Sequence, residues 1–129
     1  MKVLGLDYGR VRIGLAIAEG PLAMPLKTVL YFGDRNKIIQ TLRQIVNEEQ
    51  VERIVVGISE GIMAKESEQL ADLLAKELDL PVSRIDETLT TVEAKRRLLE
   101  GGAGAMKRGK TIDAAAAAVI LQYWLDQDR

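Results

Sequence analysis

The chain has no cysteine and no histidine. Without thiols it can form neither disulfides nor thiolate metal sites. Without imidazole it lacks the commonest general base, the Ser/His triad and the usual zinc site. A bound metal would have to be held by oxygen, which favours Mg²⁺ or Mn²⁺. Aromatic residues are scarce, with one Trp, one Phe and three Tyr. The core is therefore aliphatic, and a stacking platform for single strands is not expected from Tyr8, Tyr31, Phe32, Tyr123 and Trp124. No apolar run approaches the roughly 18 residues of a membrane span. The first residues enter a strand pattern without the layout of a signal peptide, so the expectation is a soluble cytoplasmic protein. The net charge of −1 gives no global sign of nucleic-acid binding and leaves that role to local basic patches.

What is present suits one domain spanning 1–129, with 47% hydrophobic residues to fill it. KVLGLD (2–7) reads as a buried strand and IGLAIAE (13–19) as its hairpin partner across YGRVR. LKTVLYF (26–32) makes a third strand. Asp34 is placed to cap a helix whose Ile38, Ile39, Leu42, Ile45 and Val46 recur at helical spacing. RIVVGI (53–58) is a covered central strand, SEGIMA (59–64) a loop, and 65–79 a helix with Leu70, Leu73, Leu74 and Leu78 on one face. PVSRID (81–86) is a fifth strand. Thr90 and Glu93 form a capping-box pattern for a helix to about residue 100. GGAGAMKRGK (101–110) reads as a flexible basic loop, and Thr111 as the cap of a last helix. The order βββαβαβαα predicts an α/β fold with a mixed five-stranded sheet and helices on both faces. The alanine run 114–118 reads as a means for that last helix to approach the sheet closely.

The carboxylates carry the chemistry. Asp7 ends the first strand, and open α/β sheets collect ligands at the carboxyl ends of strands. A buried Asp needs a partner or a metal, although Asp7 could also cap its own turn through the amides of Gly9 or Arg10. Asp86 and Glu87 end the fifth strand. In a strand they face opposite sides, so only one can share a site with Asp7. Asp113 lies in the first turn of the predicted last helix, where the helix dipole alone would favour it. As a set without histidine, these acids suit one or two Mg²⁺ or Mn²⁺ ions for displacement at phosphorus. Glu93 reads as a capping residue, and Glu19, Glu60, Glu66 and Glu68 as solvated surface.

Basic residues flank two of the acids. Arg10 and Arg12 bracket the first turn, and Lys107, Arg108 and Lys110 precede Asp113. A site that cuts a polyanion needs cations nearby to hold phosphates outside the metal position. Lys95, Arg96 and Arg97 read as an ordinary solvated helix face, and Tyr123 and Trp124 as packing against the sheet.

Four segments together carry a resemblance across essentially the whole chain. GLDYGRVRIGLAIAE (5–19), IVVG (54–57), DETLTTVEAKRRL (86–98) and KTIDAAAAAVILQYWLD (110–126) resemble the YqgF (RuvX) family. The resemblance implies an RNase H-like fold, a relation to RuvC Holliday-junction resolvases, and a nuclease that processes pre-16S rRNA. It implies catalytic and metal-binding roles for Asp7, for Glu87 in the family's Asp-Glu-Arg motif, and for Asp113. It also implies that Gly5 and Gly9 let metal and phosphate approach. Two positions depart from the family: Thr88 stands where Arg is usual, and Ile58-Ser59-Glu60 stands where Leu-Pro follows the fourth strand. The implied partners are structured precursor rRNA, with the small ribosomal subunit, or branched DNA. The many aliphatics and charged helix surfaces suit a monomer or a weak homodimer, and the apolar runs are too short for membrane contact. Two other classes compete. A non-catalytic RNA-binding assembly factor could retain the acids. A sugar-kinase-like phosphotransfer module shares the Asp-x-Gly turn, but its second phosphate turn and a Walker A motif are missing.

Overall fold

The computed structural model describes residues 1–59, 61–86 and 105–127, with side chains described from residue 113 onward in the last segment. Strands β1 (Lys2–Asp7), β2 (Arg12–Glu19) and β3 (Ala23–Leu30) form a meander. Helix α1 (Arg35–Glu49), strand β4 (Arg53–Ile58), helix α2 (Ile62–Leu78) and strand β5 (Val82–Asp86) follow, and helix α3 (Ala105–Gln127) closes the described chain. The sheet order is β3-β2-β1-β4-β5. β1 pairs antiparallel with β2 and parallel with β4, and β5 is parallel to β4, so the sheet is mixed as expected. The helix expected over 90–100 lies outside the described residues.

Strand alternation divides the core. Leu4, Leu6, Ile13, Leu15, Ile54 and Val56 face α1 and α2, meeting Ile38, Leu42, Leu70 and Leu74. Val3, Ala16, Val55 and Ile85 face the other way, against Ala117, Ile120 and Leu121 of α3. Helices thus cover both faces. Ala114, Ala117, Leu121 and Trp124 recur at helical spacing on the sheet side of α3, and the small residues let it lie close. The Cβ that Gly5 lacks would fall 2.8 Å from the Leu121 Cβ. Trp124 packs here, with the Arg53 guanidinium 5.6 Å from its ring centre. Tyr123, expected against the sheet, is exposed instead, because it projects from the opposite side of the helix.

Three element boundaries differ from expectation. β3 begins at Ala23 and stops at Leu30, because Phe32 and Gly33 both adopt positive φ (53° and 76°) and turn the chain away. α2 begins at Ile62, three residues early. α3 begins at Ala105, inside the segment read as a loop. Its first residues, Ala-Met-Lys-Arg, are strong helix formers, and Gly109 does not interrupt them. The Asp34 cap is as expected, its carboxylate accepting from the Lys37 amide at 3.1 Å. Among the described residues no helix is long and apolar enough to cross a membrane.

Candidate active site

Asp7 occupies the last position of β1 and shares its sheet face with Val3 and Gly5, the face covered by α3. Its partner across the antiparallel ladder is Gly14. The absent side chain of Gly14 is what admits α3. A Cβ there would stand 2.0 Å from the Asp113 carbonyl oxygen and 2.9 Å from the Ala114 nitrogen. One glycine therefore joins the two acids, as the ladder neighbour of Asp7 and the seat of the Asp113 backbone. Both acids line one open hollow with Tyr8, Gly9, Arg10, Val11, Arg12, Leu30 and Met63.

The basic residues of the first turn are engaged with carboxylates. Arg12, the first residue of β2, points to the α3 face, and its Nε lies 2.6 Å from Asp113 Oδ2. Arg10 turns the other way and forks onto Glu66 of α2, with Nε 2.9 Å from Oε1 and Nη2 on Oε2. The Tyr8 hydroxyl donates to the same carboxylate at 2.8 Å. Glu66 is thus not the solvated surface residue expected. The hydrogen bonds from Arg10 and then Tyr8 hold its carboxyl down at about 2. Burial, followed by the hydrogen bond to Glu66, pushes the Tyr8 hydroxyl up. Sequence spacing hides this cluster, because Glu66 lies 58 positions from Tyr8.

A second hollow adjoins the first and shares Tyr8, Arg10 and Val11 with it. Its other walls include Tyr31, Phe32, Gly33, Arg35, Glu66 and Leu70. The Tyr31 and Phe32 amides both donate to the Val11 carbonyl at 2.9 Å, and the Tyr31 hydroxyl donates to the Gly9 carbonyl at 2.6 Å. These bonds fasten the β3–α1 loop to the β1–β2 turn.

The remaining predicted site residues fall as follows. Asp113 is the ninth residue of α3, two turns inside it, so the helix dipole does not account for it. Thr111 is likewise inside the helix and is not its cap. Lys107, Arg108 and Lys110 lie on the first two turns of α3, and their side chains are outside the described residues, as is Glu87. Asp86 falls on the face of β5 opposite Ile85, the face turned toward α1 and α2, and so not the face of Asp7. Gly5 and Gly9 also have packing uses. Gly5 admits Leu121, and a Cβ on Gly9 would fall 2.3 Å from the Arg12 carbonyl oxygen of its own turn. Among the described residues no three acids gather as a complete metal cage.

The model of the family RuvX, described as Holliday junction resolvase, matches residues 1–127. A "Putative pre-16S rRNA nuclease" of Anaeromyxobacter sp. (strain Fw109-5) is 42% identical over 134 residues, covering 98% of this chain and 97% of that one. A protein of the same name from Geobacillus sp. (strain WCH70) is 38% identical, covering 98% of each. Among solved structures, T. thermophilus RuvC in complex with Holliday junction substrate superposes with a TM-score of 0.63 at 18% identity, covering 98% of this chain and 96% of that one. At that identity the likeness speaks for the fold, which is that of RuvC.

Proposed function

Because this chain belongs to the RuvX family, we propose that it is a metal-dependent nuclease that hydrolyses phosphodiester bonds of structured RNA, in maturation of the pre-16S rRNA 5′ end. The observation that carries the reading is the meeting of Asp7 and Asp113 in one hollow edged by Arg10 and Arg12. The relatives that span almost the whole chain are named for this activity. The substrate would be precursor rRNA of the small subunit, met in the cytoplasm.

The donor set fits a hard divalent ion. Two carboxylates line the hollow, the chain has no imidazole or thiolate to favour a softer metal, and Asp113 already faces a cation in Arg12. Asp7, Asp113 and Glu87 would hold one or two Mg²⁺ or Mn²⁺. When bound, the metal supplies Lewis acidity at the phosphate and an activated water. The chain's own residues do the rest. Arg12 stands beside Asp113 and can hold a phosphate oxygen at the rim. Arg10, locked onto Glu66, presents a fixed positive edge to the same hollow. Lys107, Arg108 and Lys110 would extend that surface along the start of α3. In the reaction, water adds to phosphorus and one P–O ester bond breaks.

The RuvC likeness favours a second substrate, branched DNA. One experiment tests both. The protein is incubated with an end-labelled 16S precursor fragment and with a DNA four-way junction, in Mg²⁺, in Mn²⁺ and in EDTA, beside Asp7→Asn. Metal-dependent cutting of the RNA that the substitution abolishes is the expected result. Cutting of the junction alone moves the activity to DNA. No cutting of either substrate, with RNA still bound, makes the protein an assembly factor.

A further inference from the structure

The second hollow is not used by the chemistry above, and it contains a residue that the fold alone does not explain. Phe32 is the chain's only Phe and is 72% exposed. It also sits at φ 53°, a left-handed conformation that is unfavourable for a bulky side chain. Glycine follows at φ 76°, so the turn needs positive φ at both positions, and Gly or Asn at 32 would satisfy the backbone better. The ring contributes little to the core in return. A strained residue with an exposed aromatic face is a candidate for recognition.

Its surroundings define what it could recognise. The hollow measures about 460 Å³, within the range of small-ligand sites. One wall is aromatic (Tyr8, Tyr31, Phe32); Arg10 is paired with Glu66 in the same wall, and Arg35 supplies the remaining positive charge. Arg35 is exposed and bonds only weakly across to Gln69, at 3.3 Å. The hollow opens beside the acids, through the shared residues Tyr8, Arg10 and Val11. The scarcity of aromatics in the sequence argued against base stacking, yet three of the five lie together at this edge.

We propose that this hollow is a subsite for one unpaired nucleotide next to the scissile phosphate. Its base would stack on Phe32 and its phosphate would be held by Arg35. A base offers a π-face whatever its identity, so the subsite selects for an unpaired nucleotide and not for sequence. The proposal rests on the nucleic-acid reading above, and it adds that the substrate must carry a single-stranded position beside its helical part.

The test uses the full chain on the Asp7→Asn background, so that nothing is cut. Affinities are measured for an RNA hairpin with a single-stranded extension and for the same hairpin blunt-ended. Phe32→Gly relieves the backbone strain while deleting the ring, so loss of folding does not confuse the result. It should weaken binding of the extended hairpin by about 5- to 150-fold and leave the blunt hairpin within about twofold. Phe32→Tyr should retain wild-type affinity. A 5-iodouridine scanned along the extension should photocrosslink to Phe32 from one position only. Unchanged binding of the extended hairpin, or equal losses on both RNAs, overturns the subsite. If the parent protein binds neither RNA, the RNA reading falls and the subsite with it.

Discussion

Replacing Gly14 with Ala should damage the site more than it damages the fold. The added Cβ would lie 2.0 Å from the Asp113 oxygen and 2.2 Å from its carbonyl carbon, both backbone atoms that cannot rotate aside. Restoring ordinary contact at 3.4 Å requires α3 to retreat from β2 by about 1.4 Å at Asp113. Overpacking of this kind costs about 1–3 kcal/mol. The same movement carries the Asp113 carboxylate away from Asp7, and a misplacement of about 1 Å can cost on the order of 100-fold in rate. Urea unfolding and single-turnover cleavage of the RNA precursor measure the two effects. Gly20→Ala is the control: φ of 109° makes it strained, while its Cβ would meet nothing within 4 Å. It should lose stability and keep its activity per folded molecule. Gly14→Ala within twofold of wild type in rate, or no worse than Gly20→Ala, would refute the role given to this contact.

Other substitutions probe single links. Asp7→Asn should lower cleavage by on the order of 100-fold or more and leave the circular dichroism spectrum unchanged. Arg12→Gln should weaken RNA binding and reduce the slope of log affinity against log salt by about one, read from a salt titration. Glu66 has its carboxyl lowered from 4.5 to about 2, so it stabilises the fold above 4.5, and that contribution fades as pH falls toward 2. The stability difference between wild type and Glu66→Gln should therefore be constant from neutral pH to about 5 and vanish near pH 2, as followed by acid-dependent urea unfolding. Phe32→Gly should raise the unfolding free energy by about 1 kcal/mol, since it removes left-handed strain from an exposed residue.

The strands with apolar residues on both faces were the most legible. β1 and β4 have the boundaries their sequence suggests, because nearly every residue is buried and the run has no other use. Asp7 and Asp113 were legible as candidates because they stand at a strand end and at the start of the predicted last helix, each beside basic residues, and form a set without histidine. Their convergence on one site was expected from the set; the means was not legible, since it depends on Gly14, which looks like any strand glycine until a helix is laid over it. The start of α3 was misread because the glycines before it suggested a loop, while helix formers from Ala105 and the tertiary contact of the later turns favour helix. Glu66 was misread because local pattern predicts exposure, while a carboxylate's partners are set by residues distant in sequence.

The pairing of Asp7 with Asp113 through Gly14 also bears on when the molecule can act. The acids lie roughly a hundred residues apart, and the earlier one emerges first during synthesis. The meander can close around Asp7 while α3 is still being made, yet the hollow then lacks its opposing wall. A nuclease of ribosomal RNA is translated on a ribosome, beside its own class of substrate. In this fold the hollow between Asp7 and Asp113 is complete only when the last helix docks, which would keep the growing chain from cutting the particle producing it.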